Sequence, residues 1–142
     1  MGPIDVPLLA VKIYVFEFSG KSFNRSVTFI ISSGSLSALR GVDIVDLDQD
    51  GDMDILTGSY SGDGGTVWYR NNGSQSFTEV TISGTGVADI KGADLDHDGD
   101  IDIVTVKDND IYWFENNGSE SFTQNTLIST HTYITDKNKS IS

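Results

Sequence analysis

The 142-residue chain lacks cysteine altogether and has only two prolines, both among its first seven residues. The lack of cysteine excludes disulfides and thiol chemistry, and with only two histidines a zinc or other soft-ligand site is disfavoured. No apolar run reaches the 18 or so residues of a membrane-spanning helix, and no apolar period of 3.6 residues persists over three turns. These absences predict an all-β chain.

Basic residues are also scarce, with 9 against 21 acidic residues and a formal net charge of -12. A surface this acidic argues against binding to nucleic acid and against docking on anionic lipid. The first residues lack the basic segment and the small-residue cleavage site of a signal peptide.

The acidic residues are concentrated in two nine-residue stretches, residues 46–54 and 94–102. Each stretch contains five aspartates, which are Asp46, Asp48, Asp50, Asp52 and Asp54 in the first and Asp94, Asp96, Asp98, Asp100 and Asp102 in the second. Carboxylates this close together repel one another. The two stretches therefore predict bound cations.

The spacing is typical of a calcium loop, with oxygen ligands at positions 1, 3 and 5, a glycine at position 6 and a backbone carbonyl at position 7. In the first loop these positions are Asp46, Asp48, Asp50, Gly51 and Asp52, and in the second Asp94, Asp96, Asp98, Gly99 and Asp100. Asp54 and Asp102 add a fourth carboxylate at position 9. Magnesium prefers a tighter octahedron and keeps its waters, so we expect two Ca²⁺ ions per chain.

Two other interpretations of these loops are weaker. An EF-hand needs a glutamate at position 12 and flanking helices, whereas Thr57 and Thr105 stand there and β-rich segments follow. The metal-free alternative is a pair of Asp-Gly turns on a solvated acidic surface, and two copies in register argue against it.

The repetition extends beyond the loops, since residues 68–78 match residues 113–123. Each repeat divides into four predicted strands, at about 39–45, 54–60, 66–70 and 78–83, and again at about 89–93, 102–106, 110–115 and 123–129. Asn72-Gly73 is typical of a tight hairpin turn between the third and fourth strands. Four strands in each unit of 45–48 residues are typical of a β-propeller blade.

The chain is therefore predicted to be a single β-propeller segment. Residues 10–36 form a partial blade, with strands at about 12–18 and 27–32, and residues 37–84 and 85–129 form two complete blades with calcium loops. Residues 130–142 supply one partial strand at about 132–135 and a polar tail.

The segment from Val45 to Leu56, followed by Trp68-Tyr69 and Asn72-Gly73, resembles an FG-GAP/VCBS-type repeat. Such repeats build the calcium-binding β-propellers of integrin α-subunits and of many bacterial secreted proteins. The resemblance covers residues 37–129 well and 12–32 weakly. It implies blades of four antiparallel strands in which the acidic loop joins the first two strands and holds calcium.

The predicted function is a non-enzymatic module for binding or adhesion, with structural calcium. Because such a calcium site is most useful where calcium is plentiful, we expect an extracellular or periplasmic location. The alternative is a carbohydrate-binding propeller that uses Trp68 and Trp113. Packing between blades is the favoured role of Trp68, Tyr69, Trp113 and Phe114. His97 occupies position 4, which does not supply a ligand, and no catalytic set is visible.

The number of blades falls short of the four to eight that a propeller typically needs. We therefore expect a homo-oligomer that closes a ring through head-to-tail contacts. In that arrangement the strands at about 10–32 of one chain complete a blade begun by the last strand of its neighbour. The alternative is that the chain is a piece of a longer protein.

Overall fold

The computed structural model of the chain describes residues 38–60, 65–74 and 76–129 in full, and residues 11–19 and 22–31 as backbone. Residues 1–37 form one compact unit and residues 38–142 another. His131, the predicted strand at 132–135 and the tail lie outside the described residues.

The first unit contains an antiparallel hairpin of β1 (Val11–Ser19) and β2 (Ser22–Ile31). The predicted start of the second strand, at Val27, is wrong because β2 begins at Ser22. The ladder continues as far as the pair Ser19 and Ser22.

The second unit consists of two four-stranded antiparallel sheets, each with its strands in sequence order. Blade 1 contains β3 (Leu39–Val45), β4 (Asp54–Ser59), β5 (Thr66–Asn71) and β6 (Phe77–Ser83). Blade 2 contains β7 (Asp89–Ala93), β8 (Asp102–Lys107), β9 (Asp110–Asn116) and β10 (Phe122–Ile128). The prediction of an all-β chain with two complete four-stranded blades is confirmed.

The predicted strand boundaries in both blades agree with the structure to within one residue at each end. Val, Ile, Thr and aromatic residues dominate these strands, as expected for pleated and half-buried surfaces. None of the described residues belongs to a helix long and apolar enough to cross a membrane.

One hydrophobic core lies between the two blades, while Ile55, Val67 and Tyr69 are buried on the other face of blade 1. Blade 1 contributes Leu47, Leu56 and Trp68 from one face of its sheet. Blade 2 contributes Ile90, Ile103 and Phe114, which lie on the opposite face of the repeat. The rings of Trp68 and Phe122 meet edge to face with their centroids 6.4 Å apart, a favourable aromatic geometry. Each blade thus buries one face against the other.

The inner strands β3 and β7 come into close contact at Gly41. A Cβ atom added there would lie 2.8 Å from the backbone nitrogen of Ile90, so only glycine fits. Beside this contact Asp43 accepts hydrogen bonds from the backbone N–H of Gly92 and from Nζ of Lys91, both at 2.8 Å. The contact fixes the register of one blade against the other.

We expect Leu56→Ala to lower the free energy of unfolding by about 2–5 kcal/mol, because Leu56 is completely buried between the blades and the truncation leaves a cavity. Urea denaturation followed by tryptophan fluorescence measures the change. Leu127→Ala is the matched control, because Leu127 is exposed and its truncation should change stability by less than about 0.5 kcal/mol. Equal losses in both variants would contradict this assignment of the core.

Candidate metal centres

Each acidic stretch forms the loop between the first and second strands of its blade. Loop 1 runs from the end of β3 at Val45 to the start of β4 at Asp54, and loop 2 runs from Ala93 on β7 to Asp102 on β8. Because the two strands are antiparallel neighbours, each loop must reverse the chain within eight residues.

The reversal depends on left-handed backbone conformations at two positions of each loop. Gly51 and Gly99, at position 6, have φ values of 96° and 100°. Side chains other than hydrogen are strained there, so the glycines are required by the turn. Gln49 and His97, at position 4, also adopt positive φ, at 59° and 65°.

The turn brings carboxylates from alternate positions together. Carboxylate oxygens of Asp46, Asp48 and Asp50 all lie within 4.8 Å of one another in loop 1. In loop 2 the corresponding group is Asp94, Asp96 and Asp102. Each loop therefore has three aspartates close enough together to hold a metal ion.

Two carboxylate oxygens in loop 1 have no partner. Oδ1 of Asp46 and Oδ1 of Asp48 are buried and accept no hydrogen bond. A buried anionic oxygen without a partner is costly in free energy. The donor set consists entirely of hard oxygen atoms, which are the ligands that calcium takes. The residues present therefore fit a calcium ion.

The electrostatics of the loops point in the same direction. Burial, followed by the charge of Asp50, raises the pKa of Asp48 above its ordinary value of 3.8, and burial also raises the pKa of Asp96. An aspartate whose pKa is raised on folding reduces stability as the pH rises from 3.8 through the raised value. At neutral pH these ionised carboxylates therefore work against the metal-free fold.

Asp54 and Asp102 differ from the other aspartates because both of their oxygens already accept backbone N–H groups. Asp54 is completely buried and accepts from Leu47 at 3.1 Å and from Asn71 at 2.7 Å. Asp102, equally buried, accepts from Leu95 at 3.0 Å and from Asn116 at 2.8 Å. Each carboxylate joins its loop to the end of the third strand. In loop 1 Asp54 lies outside the group of three, whereas in loop 2 Asp102 belongs to it.

Asn71 and Asn116 are site residues that the sequence analysis did not identify. Nδ2 of Asn71 donates to the carbonyl of Met53, and its Oδ1 accepts from the N–H of Gly73, at 3.0 and 3.1 Å. Asn116 makes the same pair of bonds with Ile101 and Gly118. The sequence signal for these two residues was the repeated Asn-Asn-Gly-Ser, which the sequence analysis assigned only to a hairpin turn.

The carboxylates of Asp52 and Asp100 lie away from the clusters, against the hairpin turns. A Cβ atom added at Gly73 would lie 2.4 Å from Oδ2 of Asp52, and one added at Gly118 would lie 2.5 Å from Oδ2 of Asp100. This placement agrees with a role at position 7 that uses the backbone carbonyl and leaves the carboxylate free.

The two loops are linked across the blade interface. The side-chain amide of Gln49 donates to the carbonyl of Gly99, and Arg70 pairs with Glu120 at 2.6 Å while lying over the ring of Trp68. A cavity of about 230 Å³ between the blades is lined on one side by Asp48 and on the other by Asp100. Loop 1 and loop 2 therefore belong to one continuous region of the molecule.

We expect Asp54→Asn to destabilise the metal-free protein by about 1–3 kcal/mol, since the amide places an NH₂ group against a backbone donor in a fully buried position. Thermal unfolding in a chelator measures the loss. Asp50→Asn is the matched control in the same loop, because Asp50 is exposed and the asparagine carbonyl can still accept from Asp52 N–H. If Asp54→Asn were as stable as Asp50→Asn, the buried bridge would not matter to the fold.

Comparison with known families gives one match. A family model described as FG-GAP-like repeat matches residues 46–105 and residues 94–141, which together span more than half of the chain. Each match begins at the first aspartate of one of the two loops. No curated protein and no solved structure is significantly similar to the chain.

Proposed function

The chain belongs to the FG-GAP-like repeat family, and on that premise we propose that it is a calcium-binding β-propeller repeat module in which calcium has a structural role. The observation that supports this most directly is the pair of buried, unpartnered oxygens on Asp46 and Asp48. A divalent cation would supply the partner that the protein does not.

The ligands in loop 1 would be the carboxylates of Asp46, Asp48 and Asp50 and the carbonyl of Asp52. In loop 2 they would be the carboxylates of Asp94, Asp96 and Asp102 with the carbonyl of Asp100. Asp98 would complete that set, because it holds the same place as Asp50. Bound calcium would neutralise charge that otherwise opposes folding and would hold each loop in its turn.

The role of the module is binding or adhesion without catalysis, which accords with a repeat family that is in general non-enzymatic. Calcium-dependent folding suits an extracellular or periplasmic setting, where calcium is plentiful. Sugar binding on Trp68 is disfavoured, because Trp68 is 1% exposed and is packed between the blades. Trp113, the other tryptophan of that alternative, is partly exposed.

We expect calcium to raise the melting temperature, and a chelator to lower it, because an ion that binds only the folded state stabilises it by about 2.7 kcal/mol at a free concentration of ~100 Kd. Differential scanning fluorimetry measures the shift in separate titrations with calcium and with magnesium over the same range of concentrations. Magnesium at the same concentration should give a smaller shift. A melting temperature that is unaffected by both ions would contradict the proposal.

We expect Asp48→Asn to raise the melting temperature in a chelator but to reduce the increase in melting temperature that calcium produces. In a chelator the variant should melt higher than the wild type, because it removes a charge that is crowded by Asp46 and Asp50. In saturating calcium it should gain less stability than the wild type, because it loses an anionic ligand. Melting curves in the two conditions give both numbers.

Asp52→Asn is the control for that experiment, since it removes the same charge from the same loop but keeps the backbone carbonyl that is expected to bind calcium. It should retain most of the calcium-induced shift in melting temperature. If Asp48→Asn and Asp52→Asn lost the shift equally, simple charge density and not a defined set of ligands would explain calcium binding.

A further inference from the structure

One hydrogen bond joins the two acidic loops across the interface between the blades. The side-chain amide of Gln49, at position 4 of loop 1, donates to the backbone carbonyl of Gly99, at position 6 of loop 2. The two residues are 50 positions apart in the sequence, so the bond depends on how blade 1 packs against blade 2. It connects the two candidate metal centres directly, without passing through the hydrophobic core.

In loop 1, Gln49 stands between two of the proposed calcium ligands, Asp48 and Asp50. Its backbone has a φ of 59°, a left-handed conformation that is uncommon for residues other than glycine. In this conformation the two neighbouring carboxylates lie with that of Asp46 within 4.8 Å of one another, and without a cation they repel. The repulsion opposes the loop conformation that places the Gln49 amide, and a cation held between the carboxylates would favour it.

In loop 2, the acceptor carbonyl belongs to the peptide group that also carries the N–H of Asp100. A peptide group is planar, so holding the carbonyl of Gly99 also fixes the direction of that N–H. The N–H of Asp100 donates to Oδ1 of Asp98 at 2.9 Å, and Asp98 is a proposed calcium ligand. The bond from Gln49 therefore orients a ligand of loop 2 through a single peptide group.

The two loops differ in how well they are prepared for a cation. Oδ1 of Asp48 in loop 1 is buried and has no hydrogen-bond partner. The counterpart of Asp48 in loop 2 is Asp96, which is exposed and whose Oδ1 accepts the N–H of Asp98 at 3.2 Å. A cation in loop 1 relieves a buried oxygen that lacks a partner, so we expect loop 1 to fill first.

We propose that Gln49 couples the two calcium sites, so that filling of loop 1 raises the calcium affinity of loop 2. This coupling rests on the function proposed above, because it concerns calcium binding at the same two loops. Gln49 is a positioning residue, since it acts on the ligands of loop 2 and binds no ion itself. Because a coupling free energy is reciprocal, an ion in loop 2 raises the affinity of loop 1 by the same factor.

Electrostatic repulsion alone gives a coupling of the opposite sign. A cation in loop 1 reduces the negative potential that attracts a second cation to loop 2, which weakens the second binding event. At about 150 mM salt the Debye length is about 8 Å, and interactions between exposed charges that lie farther apart are largely screened. A positive coupling at this ionic strength therefore does not come from the charges.

Calcium titration of the isotope-labelled chain at about 150 mM salt, followed by two-dimensional NMR, measures the coupling. Each loop has one glycine, so the amide resonances of Gly51 and Gly99 report on loop 1 and loop 2 separately. Asp48→Asn removes a proposed ligand of loop 1 and should raise the calcium concentration that half-saturates loop 2. We expect a shift of about 2- to 12-fold, which corresponds to a net hydrogen-bond contribution of about 0.5–1.5 kcal/mol.

The same Asp48→Asn substitution should shift loop 2 far less in a protein that also carries Gln49→Ala. The shift that remains measures the direct effect of the Asp48 charge, and the difference between the two shifts measures the coupling through Gln49. Gln49→Glu keeps the length of the side chain but cannot donate a hydrogen bond, so it should abolish the coupling as Gln49→Ala does. Coupling that survives in both variants would overturn the proposal.

Tyr60→Phe is the matched control, because it removes another hydrogen bond between the blades. The Tyr60 hydroxyl donates to Oδ1 of Asp108 at 2.7 Å, and both residues follow the ends of β4 and β8 that lie away from the loops. This variant should keep the coupling of the wild type. An equal loss of coupling in Tyr60→Phe and Gln49→Ala would assign the effect to blade packing in general and contradict the role of Gln49.

Two further outcomes separate this inference from the proposed function. If calcium moves both glycine resonances but Asp48→Asn leaves loop 2 unchanged or tightens its binding, the coupling is refuted and the proposed function stands. If calcium moves neither resonance, the proposed function is refuted and the coupling with it. Gln49 and Tyr60 are exposed, so their variants should keep the circular dichroism spectrum of the wild type.

Discussion

The buried carboxylates of Asp54 and Asp102 are the constraint on which the rest of each blade depends. Each accepts one backbone N–H from the start of its own loop and one from the end of the third strand. Three segments that are distant in sequence are thereby held at one point. Buried backbone N–H groups require partners, and a carboxylate is the strongest partner available. The loop, the second strand and the hairpin turn are fixed together.

That arrangement leaves the remaining aspartates of the loop crowded together. Once the loop is held at both ends, its alternate side chains converge, and in loop 1 two of their oxygens are buried without a hydrogen bond. The raised pKa of Asp48 has the same physical origin, because burial and the charge of Asp50 both disfavour its ionised form. The framework thus stabilises the fold and at the same time creates the charge that a cation would neutralise.

The sequence predicted the repeat, the four strands of each blade and the position of both loops, because the same pattern occurs at equivalent positions in both repeats. It did not separate Asp54 from the other aspartates as a backbone acceptor, since spacing alone is the same for a ligand and a bridge. The roles of Asn71 and Asn116 were hidden because an Asn-Gly turn already explained them. The link from Gln49 to Gly99 depends on how two blades stack, which no local pattern encodes.

Metal binding and blade packing share the same residues, which argues that they stabilise each other. Leu47 lies between two predicted ligands in loop 1, and its side chain is buried in the core between the blades while its N–H donates to Asp54. Holding Asp46 and Asp48 around a cation therefore also fixes the residue between them. Leu95 occupies the same position in loop 2 but is 40% exposed. A cation bound in loop 1 would therefore stabilise the interface between the blades, whereas one bound in loop 2 would hold a side chain that this interface does not use.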